Sequence, residues 1–299
     1  MRVAGYTSAV LTQQAQLDAA RTGALVVFRP DLAAAVVRGN DRVAWLNGML
    51  TCDVTRAVPG VATYGLAVTQ KGRVIADVIV IAEADALRLV VPRAALSELI
   101  ATFERYIIME DAEVAATGDV VALACGPDVA AIGGAGVLSA AFDELGFGGA
   151  VLLFEGEAAA RAVDVARGSL EWYDAIRVEL GVPRFGVDFD QTTYPQEALL
   201  ERRAVSFDKG CYIGQEVVFM LEVRGRVKRK LAKITIDAQV VPARGAEVCD
   251  ASGVAVGTLT SVARGPISAA VVGLAMVKVD KAGVGTELVI GGASARVVA

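Results

Sequence analysis

From Leu231 onward the chain is a succession of short runs of β-forming residues, LAKITI, AVGTLTSV, AAVVGLAMV and TELVI, divided by Gly, Pro, Asp or Ser. Branched and aliphatic side chains suit a pleated, half-buried surface and turn residues stop it, so this texture predicts a compact terminal β-domain beginning near Gly225. Before it the two periodicities mix. ALVVF at 24–28 reads as a strand, and LAAAVVRGNDRVAWLNGML as a strand followed by a helix that Asn40 or Asp41 caps. The runs Tyr64 to Thr69 and Val74 to Ile81 flank Gln70-Lys71-Gly72-Arg73 and predict a hairpin. Leu96, Leu99, Ile100 and Phe103 share one helical face, and so do Trp172, Ile176 and Leu180, whose helix Gly181 and Pro183 end. IIMED, VVALAC and GAVLLFE read as strands, and weak helices are expected near Asp128 and over Glu157 to Ala166. The Gly133, Gly134 and Gly136 stretch reads as a loop, since no phosphate-loop pattern accompanies it. With no GxGxxG fingerprint either, the fold class is α+β rather than doubly wound.

The 299 residues are long enough for a large core, and 55% hydrophobic against 21% charged leaves little room for disordered tails. There is no histidine, which excludes a His base, a His-ligated zinc and a Ser-His-Asp triad. The four cysteines, Cys52, Cys125, Cys211 and Cys249, are far apart and form no CxxC, unlike a secreted disulfide scaffold or a metal knuckle. Net charge of -5 gives no general attraction for nucleic acid or anionic membrane, so nucleic acid is not an expected partner. The basic run Arg224, Arg226, Lys228, Arg229 and Lys230 stays open between a solvated strand edge and a site for an anionic ligand or partner. The N terminus lacks the pattern of a secretory signal, and the apolar stretches are interrupted before spanning length. No membrane partner and a cytoplasmic location are therefore expected.

The segment with the sharpest chemistry is Lys209-Gly210-Cys211-Tyr212-Ile213-Gly214-Gln215-Glu216. Its glycines permit tight geometry, and a helix beginning at Gln215 or Glu216 would place Cys211 near a positive helix end. Such a thiolate would gain further from Lys209, and the other reading of Cys211 is tight packing. This segment resembles the KGCYIGQE signature of the YgfZ proteins and their mitochondrial relatives that assist iron–sulfur assembly, within the aminomethyltransferase superfamily. RVELGVPRFGVDFD resembles the R-x-E-x-G-x-P-x-x-G-x-D pattern of that superfamily through Arg177, Glu179, Gly181, Pro183, Gly186 and Asp188. GNDRVAWLNGMLTCDV and VTQKGRVIADVIVI resemble its early segments, so four ordered matches run along the chain.

The resemblance implies a three-lobed ring, with two interwoven α+β lobes in residues 1–224 and a C-terminal β-barrel in residues 225–299, around tetrahydrofolate or a derivative. It implies a ligand-facing acid at Asp77, where the aminomethyltransferases carry a DD pair and this chain has Ala76 first. Asp77 reads equally as a turn-ending residue or a partner of Arg73. Glu179 is expected to accept the adjacent N–H donors of a pterin, or else to form a salt bridge at the end of its helix. Tyr194, Tyr212 and Phe207 are candidate packing partners of an aromatic ligand or core residues, and Arg226 a candidate for the glutamyl tail or a surface charge. Met220 departs from the family, which often has Arg at that place.

The function implied is a folate-binding accessory protein for iron–sulfur enzymes or assembly proteins, with Cys211 supplying a thiol or a client contact. Cys211 alone cannot ligate a conventional cluster, which needs several ligands. Folate-dependent aminomethyl transfer or demethylation is the enzyme alternative, and a folate-free interaction scaffold the third.

Overall fold

The structure, a computed structural model, describes residues 11–225 and 227–299. Helix α1 (Gln13–Thr22) leads into β1 (Leu25–Phe28), β2 (Leu32–Arg38), α2 (Arg42–Met49), β3 (Ala62–Val68), β4 (Val74–Ala82), β5 (Leu87–Pro92) and α3 (Leu96–Glu104). There follow β6 (Glu113–Ala116), β7 (Val120–Cys125), β8 (Val137–Ala141), β9 (Gly149–Phe154), α4 (Gly156–Ala162), β10 (Ala166–Gly168) and α5 (Leu170–Leu180). The last part holds α6 (Glu201–Ala204), α7 (Gln215–Val223), β11 (Arg229–Ile236), β12 (Glu247–Asp250), β13 (Ala255–Arg264), β14 (Val271–Lys278), β15 (Glu287–Ile290) and β16 (Ala293–Val298). Among the described residues, no helix is long and apolar enough to cross a membrane.

The chain passes repeatedly between two compact units. The first takes the residues up to Arg42 with Arg56–Thr63 and Ile79–Tyr173, and the second takes Val43–Thr55, Tyr64–Val78 and Asp174–Ala299. One five-stranded sheet has the order β10-β1-β7-β9-β8, parallel only between β10 and β1. Strands β7 and β9 are buried on both faces, and Ala122 of β7 lies opposite Leu152 of β9, a small side chain against a large one. A second sheet has the order β3-β4-β5-β2-β6 and contains the expected hairpin. The helical face read from the sequence is in place on α3, where Leu99 and Phe103 are each 1% exposed.

Strands β11-β14-β13-β12-β15-β16 close into a barrel, which leaves no unpaired edge. Ile234, Val248, Leu259, Val277, Leu288, Ile290 and Val297 fill it. Each such side chain contributes about 1.5–3 kcal/mol on burial. Strands β12 and β16 escaped the sequence reading.

Other expectations are corrected by the structure. IIMED is an exposed turn, in which the Glu110 carboxylate accepts from the amides of Ile108 and Met109 and leaves both side chains outside. The expected helix near Asp128 is a single 3-10 turn, Val129–Ala131. Asn40 and Asp41 spend their side chains on a loop some seventy positions away: Asn40 Nδ2 donates to Asp111 (2.6 Å) and the Asp111 amide to Asp41 (2.8 Å).

Candidate functional site

The signature loop is seated on the β3–β4 hairpin. Thr69 and Arg73 close that hairpin, with the Thr69 amide donating to Arg73 O and Gly72 N to Thr69 O, both at 2.8 Å. Gly214 sits against it with φ +78°, and a Cβ there would lie 2.3 Å from Thr69 O, so both the left-handed backbone and the close approach require glycine. Gly214 also opens α7, its carbonyl accepting from Val218 N. On the same hairpin, Tyr64 Oη donates to Oδ2 of half-buried Asp77 at 3.0 Å, which fixes the orientation of that carboxylate. Arg73 turns elsewhere: its guanidinium lies 3.6 Å over the Tyr194 ring and bonds Thr192 O and Glu197.

Lys209 anchors the other side of the loop. Its ammonium donates to Asn47 O (2.5 Å), Leu50 O (2.7 Å) and Cys52 O (2.6 Å), at and just beyond the C-terminal end of α2. The Asn47 carbonyl belongs to the last turn of the helix, at its negative end, so a cation is well placed there. Burial nonetheless pushes the Lys209 amine down to about 8. Two residues past Cys211, the Ile213 amide donates to Gly48 O at 3.0 Å. The loop is thus pinned on both sides of Cys211, which is exposed.

This corrects the role expected of Lys209, whose three N–H groups are occupied by carbonyls rather than turned to the Cys211 thiol. Cys211 itself lies four positions before the first residue of α7. Among the other thiols, burial pushes Cys52 up to about 11 and Cys125 up to about 12. Among the described residues, no group of three or more Cys, Asp or Glu is placed to hold a metal ion.

The R-x-E-x-G-x-P-x-x-G-x-D segment divides between a helix stop and an ionic lock. The α5 helix ends with Gly181 at φ +79°, where Gly181 N bonds Val178 O and Val182 N bonds Arg177 O, the paired bonds of a Schellman motif. Arg177, 2% exposed, donates to Asp188 (2.7 Å), Asp174 (2.7 Å), Ser261 Oγ (2.9 Å) and Val182 O (3.1 Å). Asp188 in turn accepts from both Thr260 and Ser261 hydroxyls at 2.6 Å. Neighbours in a regular strand point to opposite faces, but the β13 register shifts between Leu259 and Ser261, and that bulge lets both hydroxyls reach one carboxylate.

Glu179 is half-buried and its two oxygens accept the amides of Ile267 (2.8 Å) and Ser268 (2.7 Å), in the turn between β13 and β14. The helix-end salt bridge of the alternative reading is not formed with Arg177, whose guanidinium Asp188 and Asp174 occupy. Tyr212 lies in the core with Leu66, Val68, Val74 and Phe189, and burial pushes its phenol up to about 12. Phe207 packs near Phe219, ring centroids 6.5 Å apart. Arg226 lies outside the described residues.

Sequence reasoning missed Glu197. Its carboxylate is buried and accepts from Tyr194 N (2.9 Å), Arg73 (3.4 Å) and Arg229 (3.2 Å), which takes Arg229 out of the basic run as a free cation. The available signal was local: an acid three residues after Tyr194, with Pro195 opening the turn, has the spacing to reach back to the Tyr194 amide.

Comparisons with known proteins bear on this geometry. The glycine cleavage T-protein C-terminal barrel domain matches residues 229–299, the span of the closed barrel. The tRNA-modifying protein YgfZ of Yersinia enterocolitica is 25% identical over 245 residues, covering 73% of this chain and 73% of that protein. Its counterpart in Sodalis glossinidius is 27% identical over 238 residues, 72% of each. The aminomethyltransferase of Staphylococcus saprophyticus is 31% identical over 127 residues, which is 42% of this chain and only 35% of that enzyme. Among solved structures, the glycine cleavage system aminomethyltransferase T from Bartonella henselae matches with a TM-score of 0.84 at 20% identity, over 94% of this chain and 86% of that one, a likeness of fold. In sequence the chain is similar to the YgfZ proteins over about three quarters of its length, and in fold it is similar to the glycine cleavage system aminomethyltransferase T.

Proposed function

We propose that this chain is a tetrahydrofolate-binding accessory protein of the cytoplasm that supports assembly or repair of iron–sulfur clusters in client enzymes. The observation that carries the reading is the signature loop: a segment pinned at Lys209 and Ile213 with Cys211 exposed between them, in a chain similar to YgfZ proteins over about three quarters of its length. The relatives' designation as tRNA-modifying proteins directs the search for clients to enzymes that modify tRNA.

The residues fit a reduced folate in part. Asp77, half-buried and oriented by Tyr64, is suited to accept N–H groups of a pterin or to face a developing cation. Glu179 already holds two amides, although a carboxylate has further lone pairs to offer. Tyr212 is enclosed by core residues, and Arg73 covers one face of the half-buried Tyr194 ring. The folate would supply nitrogen atoms that carry a one-carbon unit. Cys211 contributes an accessible sulfur for contact with a client.

The match to an aminomethyltransferase keeps folate-dependent aminomethyl transfer as a second reading, in which Asp77 would stabilise developing charge. Calorimetric titration with tetrahydrofolate tests the common part: saturable binding weakened by Asp77→Ala is expected, and no binding by folded protein overturns it. Removal of the gene, followed by activity measurements on several iron–sulfur enzymes, tests the helper role, where unchanged activities overturn it. Repeated turnover forming methylene-tetrahydrofolate would favour the enzyme reading instead.

A further inference from the structure

A cavity of about 570 Å³ lies wholly within the first unit, in the size range of small-molecule sites. Part of its wall is apolar, formed by Phe28 at the end of β1, buried Ala33 of β2 and buried Val121 of β7. Three arginines border it, Arg29, Arg93 and Arg167, the last with its guanidinium 5.2 Å over the Phe28 ring. Arg29 is only 4% exposed, with Nε and Nη2 fixed on the Asp31 oxygens at 2.9 and 2.8 Å and its guanidinium 4.3 Å over the Tyr173 ring. Arg93 is held by main-chain acceptors, its Nε on Pro30 O and Nη2 on Leu32 O, both at 2.7 Å. Arg29 and Arg93 therefore each retain an Nη1 edge with no acceptor among the described residues.

The balance of charge favours an anion. The bordering carboxylates are matched, Asp119 by Arg88 at 3.0 Å and Glu157 by Arg161 at 3.8 Å. Arg93 has no carboxylate partner among the described residues, so its charge is not cancelled. The start of α5 also borders the cavity, its first turn capped by Ser169 Oγ accepting from Trp172 N, and adds a positive helix end.

We propose that this cavity binds a small organic anion, with an apolar or aromatic body against Phe28 and Val121 and a carboxylate head received by Arg29 and Arg93. A guanidinium whose other edge is already fixed offers a carboxylate donors that need no further ordering. The site is independent of the folate reading.

Ligand-observed NMR titration of the full chain with 2-naphthoate and neutral 2-naphthamide tests it. The expected result is that naphthoate binds about tenfold or more tightly than the amide, in keeping with a charge-assisted hydrogen bond. Arg93→Gln should remove most of that preference. Gly118→Phe, at a bordering position where an added Cβ meets no atom within 4 Å, should abolish binding of both compounds without loss of fold by circular dichroism. Absence of naphthoate binding by the unaltered protein, equal affinity for the two compounds, or undiminished naphthoate binding in Arg93→Gln would overturn the proposal. Tetrahydrofolate titration of the same variants should be unchanged, and its parallel loss would overturn the claim of a separate site.

Discussion

The loop around Cys211 and the Arg177–Asp188 network are both built on a charged side chain surrounded by fixed partners, yet they leave opposite things outside. In the network the central ion pair is turned inward, with Arg177 2% and Asp188 3% exposed, and two hydroxyls of a bulged strand complete it. In the loop the ammonium of Lys209 turns inward to three carbonyls, and the residue two positions later is an exposed thiol. A charge within a motif is thus no sign of chemistry by itself. What separates the two regions is whether the geometry spends its charges on enclosing the motif or on presenting one of its members.

That contrast can be broken by removing its anchors. Asp188→Ala leaves a buried guanidinium without its main counter-charge and should cost about 3–5 kcal/mol, read as a large fall in unfolding free energy by denaturant titration. A loss under 1 kcal/mol would deny the network its structural role. Gly214→Ala forces a side chain into a left-handed residue and against Thr69 O, with an expected cost of about 2 kcal/mol or more and a shifted Cys211 environment by NMR.

Lys209→Met should cost about 1–2 kcal/mol because three carbonyls lose their donor. Its pH dependence sharpens the comparison. The folded amine gives up its proton near 8, whereas an unfolded lysine holds it to about 10.4. Between those values the unfolded chain binds more protons, so the stability of the unaltered protein relative to Lys209→Met should rise with pH. A constant difference between pH 7.5 and about 10 would contradict the burial of that amine. The smallest effect is expected at Cys211→Ser, within about 0.5 kcal/mol, as befits an exposed position. The thiol itself should alkylate much faster than Cys52 and Cys125, which burial holds protonated.

Elements whose cause is local were legible in the sequence. The hairpin around Gln70-Lys71-Gly72-Arg73, the helical face of Leu99 and Phe103, the stop at Gly181 and four of the six barrel strands follow from periodicity and turn chemistry. Residues whose partners lie far along the chain were not. Asn40 and Asp41 have the chemistry of helix caps but serve Asp111, and Lys209 meets carbonyls more than 150 positions upstream. IIMED has β-forming composition, yet Glu110 bends it into a turn. At the candidate site the exposed thiol and the hairpin-borne Asp77 were identified from the resemblance, whereas the burial of Tyr212 and the ion pairs of Glu197 needed the tertiary structure.

The most direct test of a displayed sulfur is genetic rescue by a single-atom change. In cells lacking this protein, Cys211→Ser expressed at the level of the unaltered chain should leave iron–sulfur enzyme activities low, although the purified variant melts at the same temperature. Full restoration of those activities by Cys211→Ser would contradict the account.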